Sequence, residues 1–180
     1  IEDYGEVKPP TVGITSTLDK LEFFEYQIEQ TYPDVYIVGE VWSSLSEFSK
    51  FYQSMDSALN FETGSDILGV INRRYSTDYV STLIDNYETL KAVNQGAVDA
   101  PFLYNHDQDR IASILNGNQK ELKLAAEMLL TLEGNPFIYY GEELGMFGTK
   151  TFGPTIWDET RRLPLLWGND YETSWINDTY

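Results

Sequence analysis

Two stretches of sequence decide the fold of this chain: FLYNHD at 102–107 and VGEVW at 38–42. Each contains a short apolar run that stops abruptly at a carboxylic acid, Asp107 in one case and Glu40 in the other. An apolar run of this length between turn residues is typical of a fully buried parallel strand. Parallel α/β sheets place their ligands at the carboxyl ends of their strands. Two acids at two strand ends therefore indicate glycoside chemistry, which needs paired carboxyl groups.

Helical and strand-like segments alternate along the chain. The first helix begins at Ser16 or Thr17, with apolar residues at helical spacing, and Tyr-Pro-Asp at 32–34 ends it. The sequence predicts further helices at 46–55, 66–74, 79–93, 109–116 and 119–133, and strands at 35–41, 58–61, 102–105 and 137–141. This order predicts an α/β fold in which crossover helices connect the strands of a parallel sheet.

Composition excludes several classes of function. The chain carries 29 acidic and 12 basic residues, a net charge of −17, which disfavours binding to nucleic acid or to an anionic membrane surface. It has no cysteine and a single histidine, so disulfides, thiolate metal sites and a His-rich zinc site are excluded. The aromatic fraction, 14%, is high; such rings pack against sugars in binding clefts, although most single rings serve the core.

The two strand-end acids differ in their surroundings. Glu40 lies between a glycine and a Val-Trp pair, an apolar setting that disfavours its charged form and suits a general acid. It could equally cap a neighbouring helix or pair with an arginine. Asp107 follows the neutral hydrogen-bonding residues Asn105 and His106, and its carboxylate could bind sugar hydroxyls or face a developing cation. Its alternative role is that of the N-cap of helix 109–116.

Three segments resemble the α-amylase superfamily of retaining glycosidases: VYIVGEVW at 35–42, FLYNHDQDR at 102–110 and GNPFIYYGEELGM at 134–146. In that family the first segment ends barrel strand five, the second ends strand seven, and the third runs through strand eight. The tail DETRRLPLLW at 158–167 resembles the loop after strand eight. The resemblance implies a partial (β/α)8 TIM barrel, about strands 5 to 8 with their helices, and makes 1–180 a fragment of a single catalytic domain.

The resemblance also implies a role for each matching residue. Glu40 would be the general acid/base, and Asp107 the acid that stabilises the transition state. His106 would donate a hydrogen bond to the sugar in subsite −1, and Asn105 beside it would also bind substrate. Trp42 would line the leaving-group side of the cleft.

Arg110 is a weaker candidate for the site, because it could simply pair with Asp107 or Asp109. The segment Gly-Glu-Glu at 141–143 is expected to hold the last barrel loop rather than to act in catalysis.

The nucleophile of the family is an aspartate that ends strand four within a Gly-Phe-Arg-x-Asp pattern, and 1–180 contains no such pattern. The motif on strand three is missing as well. We therefore expect no glycosidase turnover from these residues alone. A complete barrel takes about 250 residues, so half of one would expose strand edges and apolar surface, and we expect it to self-associate.

The leading function is cleavage of α-1,4-glucosidic bonds in starch or maltooligosaccharides by a retaining mechanism. The alternatives are an oligo-α-1,6-glucosidase, a neopullulanase or a glucanotransferase of the same superfamily, or a non-catalytic sugar-binding homologue. No cofactor or metal is expected in these residues, although the family often binds calcium through ligands elsewhere. Localisation stays open, because polymeric starch favours an extracellular or cell-surface enzyme and an oligosaccharide allows a cytoplasmic one.

Overall fold

The structure, a computed structural model, describes residues 16–72, 78–150 and 159–165. Its helices and strands, in chain order, are α1 (Thr17–Glu29), β1 (Val38–Gly39), α2 (Leu45–Phe48), β2 (Ser57–Asn60), α3 (Phe61–Ile71), α4 (Tyr79–Val93), β3 (Ala100–Pro101), α5 (Ile111–Ile114) and α6 (Gln119–Leu130). Short 3-10 turns cover Ser49–Gln53 and Glu159–Arg161. The chain divides into a first unit, 1–59 with 82–99, and a second unit, 60–81 with 100–180.

Helix α1 begins where the sequence predicts, because Ser16 and Asp19 form a capping box. The Ser16 hydroxyl accepts from the Asp19 N–H at 3.1 Å, and the Asp19 carboxylate accepts from the Ser16 N–H at 2.9 Å. Two of the backbone donors that a helix leaves unpaired at its start are thereby satisfied.

The first unit is built around the parallel pair of β1 and β2, with Val38 opposite Ser57. Its core contains Phe48, Tyr52, Met55, Ala58, Leu90 and Ala97. A side chain added at Gly39 would contact the sulfur of Met55, so the flexible end of that methionine would have to shift to admit it.

The second unit places the end of β3 beside the last apolar segment of the chain. Phe102 pairs in parallel with Phe137, and the Phe137 N–H donates to the Pro101 carbonyl at 2.8 Å. Helix α3 packs directly on this backbone, because a Cβ at Gly64 would come within 2.0 Å of the Leu103 carbonyl oxygen. The core beneath joins α3, α5 and α6 through Ile67, Leu103, Ile111, Leu115, Ala125 and Leu129.

The α/β class with parallel pairing is confirmed, and helix 79–93 has the predicted bounds. Several other bounds are wrong. The helix predicted at 66–74 already starts at Phe61, because the Asn60 side chain accepts from the Glu62 N–H and caps it. The strand predicted at 35–41 shrinks to Val38–Gly39, and that predicted at 137–141 to the single bridge at Phe137. Parallel strands depend on neighbours for their length, which apolar runs do not reveal.

Among the described residues, no helix combines the length and apolar character needed to cross a membrane.

Candidate functional site

The Asn105-His106-Asp107 segment forms a tight turn directly after the bridged backbone at Phe102. The Asn105 side-chain oxygen accepts from the Asp107 N–H at 3.0 Å, and the Asn105 carbonyl accepts from the Gln108 N–H at 3.2 Å. This is the turn that asparagine favours, since its side chain imitates a backbone carbonyl. Asn105 is only 9% exposed, so its side chain shapes the turn and presents the next two residues.

His106 and Asp107 are both partly open to solvent, and a third residue joins them. The His106 Nε2 lies 3.5 Å from Asp107 Oδ2, and the Asp107 side chain is 37% exposed. Arg162 donates from Nη2 to Asp107 Oδ1 at 2.8 Å and from Nε to the His106 carbonyl at 3.4 Å. The arrangement is a charge-assisted pair with one carboxylate oxygen left beside the imidazole.

Asp107 is not the N-cap of the following helix. Helix α5 begins at Ile111 with Arg110 in the N-cap position, and no side chain caps it by a hydrogen bond. The alternative role of Asp107 as the N-cap is therefore wrong, because helix α5 starts three residues later than a cap at position 107 requires.

Arg110 has different partners from those expected. Its guanidinium donates to the carbonyls of Tyr140 at 2.7 Å and Arg161 at 3.0 Å, and lies 4.4 Å from the ring centre of Tyr139. It is 1% exposed, while Asp107 pairs with Arg162. Arg110 thus joins the last apolar segment to the 159–165 loop, because a planar group with five donors suits several carbonyls at once.

The 141–143 segment is a structural turn, as expected. Gly141 has a positive φ of 85°, and the Glu143 carboxylate accepts from its N–H at 2.8 Å. One Glu142 oxygen accepts from the Tyr139 N–H at 3.2 Å. Burial raises the pKa of Glu142 to about 7, although the amides of Tyr139 and Tyr104 and the charge of Arg110 oppose this.

Glu40 and Trp42 belong to the first unit and share one face of the segment after β1. Ile37 and Val41 pack against the core, whereas Glu40 is exposed and Trp42 is 62% exposed. Successive side chains of an extended segment alternate between its two faces. The expected apolar setting of Glu40 is therefore wrong: Val41 packs on the opposite face, and Trp42, on the same face as Glu40, is itself largely exposed.

Sequence reasoning missed Arg162. Its signal was present in the Arg-Arg pair at 161–162, within the tail DETRRLPLLW, but nothing in the sequence tells which arginine turns towards Asp107. The structure separates them: Arg161 is 2% exposed, and Arg162 is exposed.

Within the described residues, no three histidine, aspartate or glutamate side chains come together in a group that could hold a metal ion.

Comparisons with known proteins point in one direction. The family described as "Alpha amylase, catalytic domain" matches residues 11–174. The chain is 36% identical over 163 residues to Alpha-amylase 3 of Dictyoglomus thermophilum, covering 88% of this chain and 31% of that protein. It is 34% identical over 146 residues to Alpha-amylase SusG of Bacteroides thetaiotaomicron, covering 81% and 20%. More distant relatives are named cyclomaltodextrinase and neopullulanase.

Solved structures agree. The crystal structure of an alpha-amylase from H. orenii matches with a TM-score of 0.77 and 32% identity, covering 89% of this chain and 34% of that one. The chain spans about a fifth to a third of the length of the proteins it matches.

Proposed function

Because this chain belongs to the α-amylase catalytic-domain family, we propose that it is part of a glycoside hydrolase that cleaves α-1,4-glucosidic bonds in starch or maltooligosaccharides with retention of configuration. In this proposal the chain supplies about strands 5 to 8 of a single (β/α)8 catalytic domain. The observation that carries the proposal is the turn at 105–107, which presents a solvent-accessible carboxylate beside the only histidine.

Asp107 and His106 serve the sugar whose bond is broken. The transition state of glycoside cleavage resembles an oxocarbenium ion, so the negative charge of Asp107 stabilises it. The imidazole of His106 donates a hydrogen bond to a hydroxyl of the same sugar. Both side chains are between a third and a half exposed, which leaves room for a ligand to displace water. Asn105 holds both residues in place through the hydrogen bond that its side chain accepts from the Asp107 N–H.

Glu40 and Trp42 act on the leaving-group side. The Glu40 carboxyl protonates the glycosidic oxygen and later activates water, the two tasks of the acid/base in a retaining enzyme. Its exposed position on the Trp42 face lets a glucan reach both side chains. The indole packs against the apolar face of a sugar ring, as aromatic side chains do with flat apolar surfaces. The nucleophile comes from a part of the domain outside 1–180.

The test is hydrolysis of maltoheptaose by the native protein, with the anomeric form of the first product followed by NMR. Glu40→Gln and Asp107→Asn are each expected to lower kcat by about 10²- to 10⁴-fold, the usual contribution of such groups. Glu88→Gln and Asp85→Asn make the same chemical changes at exposed positions of α4 and should leave kcat unchanged. Near-normal turnover by either site variant, or a product of inverted configuration, would refute the proposal.

A second candidate is supported by the relatives named cyclomaltodextrinase and neopullulanase, whose cyclodextrin or pullulan substrates their names state. Product analysis on starch, cyclodextrin, pullulan and isomaltose separates these activities from that of an α-amylase or an oligo-α-1,6-glucosidase. Chain lengthening of maltooligosaccharides would indicate a glucanotransferase. Binding of maltoheptaose without turnover by the native protein would indicate a non-catalytic sugar-binding homologue.

A further inference from the structure

Arg162 reaches from the 159–165 loop to the turn that carries Asp107. Its Nη2 donates to Asp107 Oδ1 at 2.8 Å, and its Nε to the His106 carbonyl at 3.4 Å. We propose that Arg162 is a positioning residue for Asp107, which fixes the carboxylate so that Oδ2 stays beside His106 and faces the sugar. This inference rests on the function proposed above.

Arg162 makes one contact with the side chain of the turn and one with its backbone. The bond to Oδ1 sets the rotation of the carboxylate, and the bond to the His106 carbonyl ties the same guanidinium to the backbone of the turn. A planar guanidinium holds both donors in one rigid plane, which an ammonium group cannot do. Oδ2, at 3.5 Å from the His106 ring nitrogen, is the oxygen that remains for the sugar.

The backbone on both sides of Arg162 is itself held. The Arg161 carbonyl accepts from Arg110 Nε at 3.0 Å and from the Tyr139 hydroxyl at 3.1 Å. The Leu163 carbonyl accepts from the Tyr140 hydroxyl at 2.6 Å. These bonds fix the position from which the Arg162 side chain extends, so the guanidinium is already in place before a ligand arrives. Such pre-organisation is what makes an oriented charge effective in catalysis.

Asp107 needs this support because its side chain is 37% exposed. Without Arg162 the carboxylate can rotate in water and lose the orientation that the transition state requires, and small misplacements of a reacting or stabilising group cost up to about 10²-fold in rate. Binding of the substrate in its ground state depends less on this one orientation. The loss is therefore expected in kcat rather than in KM.

The experiment measures kcat and KM of the native protein on maltoheptaose for Arg162→Gln, Arg162→Lys, Asp107→Asn and the double variant Arg162→Gln/Asp107→Asn. Arg162→Gln should lower kcat by about 10- to 100-fold with KM changed by less than about threefold. Arg162→Lys should recover part of the loss, because it keeps the charge and loses the planar fork. Lys120→Gln, which removes an exposed cation from α6, is the matched control and should have no effect.

The double variant decides the mechanism. If Arg162 acts through Asp107, the double variant is as slow as Asp107→Asn alone, since residues that work as a unit are not additive. Additive losses, an unchanged kcat in Arg162→Gln, or an effect confined to KM would each overturn the proposal. If Arg162→Gln fails to fold, Arg162→Lys carries the test through the same kcat and KM comparison. Full activity of Asp107→Asn would instead refute the proposed function of the site.

Discussion

The Glu142→Gln substitution tests whether burial of the Glu142 carboxyl in the 141–143 turn makes the unfolding free energy depend on pH. One oxygen of Glu142 accepts from the Tyr139 N–H, and the other, Oε1, is buried. Burial raises the pKa of Glu142 from 4.5 to about 7. A side chain that is charged in the unfolded chain at neutral pH must therefore be desolvated on folding.

The magnitude follows from linkage between protonation and folding. Because the folded pKa lies above the unfolded one, the folded state holds the proton more tightly. The stabilisation is fully present below about pH 4.5 and is lost as the pH rises through about 7. The difference between 4.5 and about 7 corresponds to at most about 3 to 4 kcal/mol of unfolding free energy, at about 1.4 kcal/mol for each pKa unit.

Glutamine cannot ionise, but it resembles the protonated acid in shape and can accept from the Tyr139 N–H in the same way. Glu142→Gln should therefore match the unaltered protein near pH 4 and exceed its unfolding free energy by up to about 3 kcal/mol near pH 8. Urea unfolding between pH 4 and 8, followed by tryptophan fluorescence, measures this difference. A 13C NMR titration of the Glu142 carboxyl checks the midpoint directly.

A difference between the two proteins that does not change with pH would refute this reasoning. Glu25→Gln supplies the matched comparison. Burial, with help from Glu29, Asp56 and Glu22, also raises the pKa of Glu25 to about 7. Because Glu25 is only half-buried, water screens its interactions, and the effect on unfolding should be clearly smaller than that of Glu142→Gln.

Three further predictions concern packing, capping and assembly. Gly64→Ala should lower the unfolding free energy by about 1–3 kcal/mol, because its Cβ would lie 2.0 Å from the Leu103 carbonyl oxygen; thermal unfolding measures this. Ser16→Ala should cost about 1 kcal/mol by removing the α1 cap, which urea unfolding detects. The 180-residue chain by itself should self-associate in size-exclusion chromatography and should not hydrolyse maltoheptaose, because it covers only part of the catalytic domain that it matches and lacks the nucleophile pattern.

Each of these has its own control. Ser65→Ala changes an exposed residue of the same helix and should be neutral, so equal losses at Gly64 and Ser65 would contradict the close-packing argument. Ser44 is the N-cap of α2 but makes no capping bond, and its loss should cost less than that of Ser16. A monodisperse monomer, or turnover that depends on Glu40, would disprove the prediction for the chain by itself.

Sequence alone predicted the family and much of the local structure. The resemblance carried by 35–42, 102–110 and 134–146 is confirmed by the match to the α-amylase catalytic domain. Helix α1 also follows from local chemistry, because the cap at Ser16 and the residues it satisfies lie within three positions of each other. Interactions of this kind form between residues that are close in sequence, so they can be predicted without tertiary information.

Tertiary structure decided the exposure of Glu40 and the partners of the two arginines. Glu40 has apolar neighbours in sequence, yet alternation along the strand turns Val41 to the core face, and Trp42, on the face of Glu40, is exposed. Arg110 and Arg162 each have nearby acids in sequence or motif, but Arg110 bonds to carbonyls about 30 and 50 residues away, and Arg162 takes Asp107 from 55 residues away. Such pairings depend on which loops the fold brings together, so the residues near each arginine in sequence do not reveal its partner.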